Sequence, residues 1–297
     1  MSLKKPFPGI LAFFIVLLTM PLGHAFMILM EKIFGQEYVY PAATVLGIFG
    51  VILLIIGLKK EKEITATLYG LFAGLCIWTG WIEFSYVWTA HHLGMQPLIE
   101  NGEVVTKPEY LIMPSSIGFL LVIMLYLLFN RQINCLFFRW FQRNLSLKFI
   151  KREKQSLPRP LAMITAMEII TILWFFYIIL LIVYDKKIFG DRHPATYIVF
   201  AGALLWSAYL IIRLLRKQNL AFAIRYAIPT VIIFWTAVEI LGRWNIFKEI
   251  WIEPLKYTLE MIIFLVVFIV LILILLTERK SRQRAERESH GAGRGNV

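Results

Sequence analysis

Charge is scarce in this chain. Only 17% of its residues are charged, where a soluble domain carries about a quarter. Cysteine is scarcer, with two copies. Cys76 falls in an apolar segment and Cys135 in a basic loop, so neither a disulfide nor a zinc site is suggested. No nucleotide-binding glycine loop, nucleophile elbow or H-E-x-x-H pattern occurs. The run from Gly291 to Gly295 follows no strand and is not a phosphate loop. Strictly alternating strands are also missing, which excludes a membrane β-barrel.

What fills the chain instead is apolar. Hydrophobic residues make up 59% and mean hydropathy is +0.70. They come in continuous blocks of about eighteen or more, the length a membrane-spanning helix needs. An all-α, polytopic membrane protein is expected. Eight helices are read at 7–30, 41–58, 64–90, 111–129, 160–184, 195–215, 220–244 and 254–277. The first could pass for a signal peptide through Lys4, Lys5 and the small residues around His24. Its apolar run continues to Met30, so a retained helix is expected.

The net charge of +12 would suggest nucleic acid in a soluble protein. In an apolar chain it orients the helices, and no nucleic-acid partner is expected. With eight helices, 23 lysines and arginines fall on the side of the N-terminus and 8 on the other. The positive-inside rule then puts both termini in the cytoplasm. The expected location is a bacterial inner membrane. The connection 131–159 mixes bulky apolar residues with arginine and lysine and reads as a basic, amphipathic cytoplasmic linker. The tail 278–297 is charged and is expected to lack structure.

The two ends of the apolar region repeat each other. Glu31-Lys-Ile-Phe-Gly35 matches Lys186-Lys-Ile-Phe-Gly190. Pro41-Ala-Ala-Thr44 matches Pro194-Ala-Thr196. Trp78-Thr79 with Glu83 matches Trp235-Thr236 with Glu239. The order is kept, which implies two parallel four-helix halves, 1–130 and 160–277, related by an axis along the membrane normal.

Acids inside apolar helices are costly and must find a partner or a proton. At about 1.5 Å per residue, His24, Glu83, Glu239 and Glu260 lie in one layer roughly 8–10 Å below the outer surface. His91 and His92 sit just above that layer. Arg243 stands one turn above Glu239 and could form an i, i+4 ion pair with it. Glu168 lies on the inner half without a counterpart. Trp81, Trp88, Trp244 and Trp251 fit an outer aromatic belt.

The layer predicts an outward-side pocket between the halves, centred on Glu83 and Glu239, with His24, Glu260 and Arg243 as further ligand or proton sites. The expected function is an ion- or proton-coupled carrier of small molecules. One alternative is a membrane metalloenzyme using His24, His91, His92 and Glu83. Another rests on two fragments, His92-Leu-Gly94 with Pro97 and Glu239-Ile-Leu-Gly242-Arg243. Over under a dozen residues these resemble pieces of the eight-helix, quinol-oxidising anchor subunits of polysulfide and dimethyl-sulfoxide reductases. That resemblance implies a quinol at this layer and a soluble partner subunit. The bilayer is the one partner every reading requires, and a homo-oligomer or a larger membrane complex is compatible with each. No cofactor is specified by the sequence.

Overall fold

The computed structural model describes residues 5–100, 103–129, 135–145 and 160–292. It is helical almost throughout. Among the described residues, seven helical stretches are long and apolar enough to cross a membrane: 7–58, 63–92, 108–129, 161–184, 194–215, 220–243 and 258–277. This is the architecture of a multi-pass helical membrane protein.

The first stretch, α1 (Phe7–Leu58), holds 52 residues. A straight helix of that length would be about 78 Å long, more than twice the hydrocarbon thickness of a bilayer. Its geometry breaks at Gly35, where φ is 61° and ψ is −177°. Only glycine adopts such a backbone at no steric cost. Gly190, its match in the sequence repeat, also has positive φ, at 102°. Pro41 lies shortly after the break in α1, and Pro194 opens α8, a position where its missing N–H costs nothing.

The second stretch is α2 (Glu63–Ile77), a π-helical segment (Trp78–Glu83) and α3 (Phe84–His92). A short hairpin follows, β1 (Leu98–Glu100) against β2 (Glu103–Thr106), antiparallel with Ile99 opposite Val104. Between its strands the sequence carries Asn101-Gly102, a dipeptide that favours turns. Next come α4 (Pro108–Ile112), a 3₁₀ turn (Met113–Ser116) and α5 (Ile117–Phe129). The amphipathic α6 (Leu136–Asn144) falls within the basic linker; its parts 131–134 and 146–159 lie outside the described residues. The remaining helices are α7 (Leu161–Tyr184), α8 (Pro194–Leu215), α9 (Leu220–Arg243) and α10 (Thr258–Ala292).

The tail differs from expectation. Helix α10 continues beyond the apolar segment as far as Ala292, so most of the tail is helical rather than without structure. The stretch 278–290 has no proline or glycine and is rich in glutamate and arginine, all compatible with helix. Residues 293–297 lie outside the described residues.

Burial separates inner from outer helices. In the apolar window of α9, 78% of residues are buried, against 11% in α10. Helix α9 is therefore central and α10 faces outward, as a helix apolar all round does in lipid. Small residues let the inner helices approach. An added Cβ at Gly70 would lie 2.3 Å from the Ala162 carbonyl oxygen, and one at Gly74 2.3 Å from Ile169. That packs α2 tightly on α7, the usual small-residue solution between membrane helices. Helix α1 packs on α9 through Phe13 and Phe234, whose ring centroids are 5.9 Å apart.

Gly9 packs against Leu214, and Gly57 packs against Ala162. Further along the helices, Trp78 meets Tyr177 at 6.3 Å and Trp235 meets His24 at 6.2 Å.

Candidate functional site

The site assembles from the middle of α1, the π-helical segment and the last turns of α9. The π-helical segment is a local widening of a helix, a feature found mostly where function demands it. Here it ends on Glu83, which is buried, with 9% of its surface exposed. The charged and titratable groups around Glu83 are His24 and Lys107, and then Glu109 and Glu31.

On α9, the Trp235 indole N–H donates to Glu239 Oε1 at 2.6 Å. The two residues are one helical turn apart, so the bond holds the carboxylate against its own helix. His24 Nε2 approaches the same oxygen at 3.7 Å from α1. That distance is an ion-pair contact rather than a hydrogen bond. The other ring nitrogen of His24, Nδ1, lies 3.1 Å from the Met20 carbonyl oxygen, which fixes the ring. His24 thus meets Glu239 directly and is also among the charged or titratable groups around Glu83.

Two residues join this group that the sequence did not single out. Glu249 lies in the connection between α9 and α10. Its carboxyl sits against Gly242, 2.5 Å from where a Cβ would be, and its Oε1 is buried without a hydrogen-bond partner among the described residues. Burial and the nearby Glu239 push its carboxyl up to about 7, against the opposing pull of His24 and Arg243. Asp191, in the connection between α7 and α8, accepts from Arg243 Nε at 3.0 Å. The Arg243 guanidinium also lies 5.3 Å from the Tyr184 ring centroid. Arg243 is therefore directed at Asp191. A loop acid brought back by the fold has no sequence signal, since Asp191 and Glu249 read as ordinary loop charges.

Above this group, Lys107 Nζ stands 3.8 Å from both Glu31 Oε2 and Glu109 Oε1. Glu109 is buried. A cation between two acids therefore lies over Glu83 on the hairpin side.

Other expected residues fall elsewhere. Glu260 is exposed on the first turn of α10, because α10 begins at Thr258, later than expected, and turns this position outward. His91 and His92 are exposed at the end of α3. His92 stacks on Trp88 at 5.0 Å, and His91 lies 6.3 Å from the Tyr40 ring. No three His, Cys, Asp or Glu residues converge as a metal site would require, among the described residues. Of the tryptophans, Trp81 and Trp88 are exposed as a belt requires, but Trp251 is buried and packs on Trp235 at 4.8 Å. Trp251 therefore packs against the tryptophan that holds Glu239.

No known family, curated protein or solved structure matches the chain. The reading of the site therefore rests on its geometry.

Glu168 on α7 has a different role. It is buried on the opposite half of the molecule, and its Oε1 accepts from the Leu136 N–H at 3.0 Å and from the Cys135 thiol at 3.2 Å. Leu136 is the first residue of α6, so the carboxylate satisfies an end-of-helix donor and ties α6 to α7. Burial and the adjoining Glu168 push the Cys135 thiol well up, which keeps it a donor.

Proposed function

We propose that the chain is a proton-coupled membrane carrier in which Glu83, Glu239 and His24 exchange protons on the outer side of a two-fold, eight-helix framework. The observation that carries this reading is the approach of His24 on α1 to Glu239 on α9, with His24 also among the groups around Glu83 in the π-helical segment. Titratable groups inside apolar helices mark ion and proton pathways far more often than they mark packing.

The eight-helix framework is supported by α1. Gly9 packs on Leu214 near the end of α8, and Gly57 packs on Ala162 near the start of α7. With a short turn between α7 and α8, those two partners lie at one end, so α1 is read as two crossings reversed at Gly35. The repeat is supported by paired contacts. Helix α1 meets α9 as α2 meets α7. His24 faces Trp235 as Tyr177 faces Trp78. Gly35 and Gly190 share positive φ. A two-fold axis along the membrane normal would place Glu83 and Glu239 on equivalent helices, either side of the axis. With both termini on the basic side, the acids face the outer aqueous phase.

The test is proton movement in sealed proteoliposomes under an imposed pH gradient, read by an internal pH dye. Wild-type protein is expected to carry protons, and Glu83→Gln or Glu239→Gln to stop it while eluting as folded protein. Unchanged flux in both variants would refute the proposal.

A further inference from the structure

A cavity of about 410 Å³ opens at the other end of the bundle, between α6, α8 and the start of α9. Its volume suits a small ligand or a lipid headgroup. Four cations line it: Arg139 and Arg143 from α6, Arg213 from α8, and Lys217 from the turn after α8. Among the described residues no carboxylate lines it. Concentrating like charges around a partly enclosed space is unfavourable unless an anion offsets them. The strain is visible at Lys217, whose ammonium is pushed down by burial and by Arg213, Arg143 and Lys5.

A second observation points to the same ligand chemistry. Trp206 lines the cavity, and its indole N–H is buried with no acceptor among the described residues. A buried donor without a partner is costly, and an anion's oxygen would satisfy it. The rest of the wall is aromatic and apolar. Lys217 lies 4.9 Å from the Tyr226 ring and 5.2 Å from the Phe222 ring. Phe137 stacks on Trp206 at 6.1 Å. Such walls suit an acyl chain below a charged headgroup.

The cavity is also held in shape. Glu168 fixes the first residue of α6 at 3.0 Å. Near its other end, Gln142 donates to the Leu128 carbonyl of α5 at 2.8 Å. Arg139 and Arg143 are four residues apart on that clamped helix, so they present to the same side.

We infer that this cavity binds the phosphate headgroup of an anionic membrane lipid, held by Arg139, Arg143, Arg213, Lys217 and the Trp206 N–H, with the acyl chains along the apolar wall. Basic pockets between membrane helices bind such headgroups. The site is separate from the proton site proposed above.

The experiment is native mass spectrometry of the full chain released from nanodiscs of phosphatidylcholine with a minor fraction of phosphatidylglycerol. Wild-type protein is expected to retain phosphatidylglycerol over phosphatidylcholine. The double variant Arg213→Gln/Lys217→Gln is expected to lose that preference by roughly 25-fold, two charges at the membrane-surface scale. Trp206→Phe keeps the ring and removes the donor, so it is expected to weaken retention without loss of fold. Lys32→Gln, an exposed charge on α1 outside the cavity, is expected to change nothing. Equal retention of the two lipids by wild-type protein, or an unchanged preference in both cavity variants, would overturn the inference. Release of the lipid by millimolar inorganic phosphate, with phosphate retained in its place, would assign the cavity to free phosphate and overturn the lipid reading.

Discussion

His24 Nε2 and Glu239 Oε1 stand 3.7 Å apart across the contact between α1 and α9. The pair is ionic only when the imidazole is protonated, so its strength changes with the proton each partner holds. If the two act as one unit, their removal is not additive. His24→Gln, Glu239→Gln and the double variant are expected to give similar losses of proton flux. A double variant that loses as much as the sum of the two singles, on a free-energy scale, would show that they act separately.

Glu249 sets a pH dependence of stability. Its folded value, about 7, lies above the ordinary 4.5. A raised carboxyl value means that the folded state holds the proton more tightly than the unfolded state. The contribution is full below about 4.5 and is lost as pH rises through about 7. Thermal unfolding in detergent is expected to show the midpoint falling across that window, and Glu249→Gln to flatten the fall. Equal slopes in the two proteins would count against a buried, protonated Glu249.

Arg243 and Asp191 join the end of α9 to the α7–α8 connection at 3.0 Å. Both are partly buried, so the pair is screened less than a surface bridge. Arg243→Gln and Asp191→Asn are each expected to lower stability by about 1 kcal/mol, and the double variant by little more. A double-mutant cycle on unfolding midpoints measures the coupling. A coupling of zero would make the contact incidental.

Gly70 tests the tight contact of α2 with α7. A methyl group there would meet the backbone oxygen of Ala162 at 2.3 Å, and backbone cannot step aside as a side chain can. Gly70→Ala is expected to cost about 1–3 kcal/mol through forced separation of the helices. Gly118, with open space around it, serves as the comparison, and Gly118→Ala is expected to leave the melting profile unchanged.

Composition and block length by themselves determined the class. Continuous apolar runs cannot satisfy their backbone in lipid except as helices, so the helical, multi-pass character was legible before any coordinates. Glu83, Glu239 and His24 were legible for a similar reason: each is a titratable group in an apolar run.

Tertiary structure alone decided who meets whom. Helical depth placed Glu260 in the same layer as Glu83, but depth says nothing about rotation around the bundle, and Glu260 faces outward. Spacing along α9 offered Glu239 as the partner of Arg243. The fold also brings Asp191 to Arg243 from a loop, and a contact across the fold need not obey helical spacing. Glu249 entered the site, and Trp206 with four distant cations formed a cavity, by the same route. Sequence periodicity reports which side of a helix is apolar. Only packing reports what stands opposite.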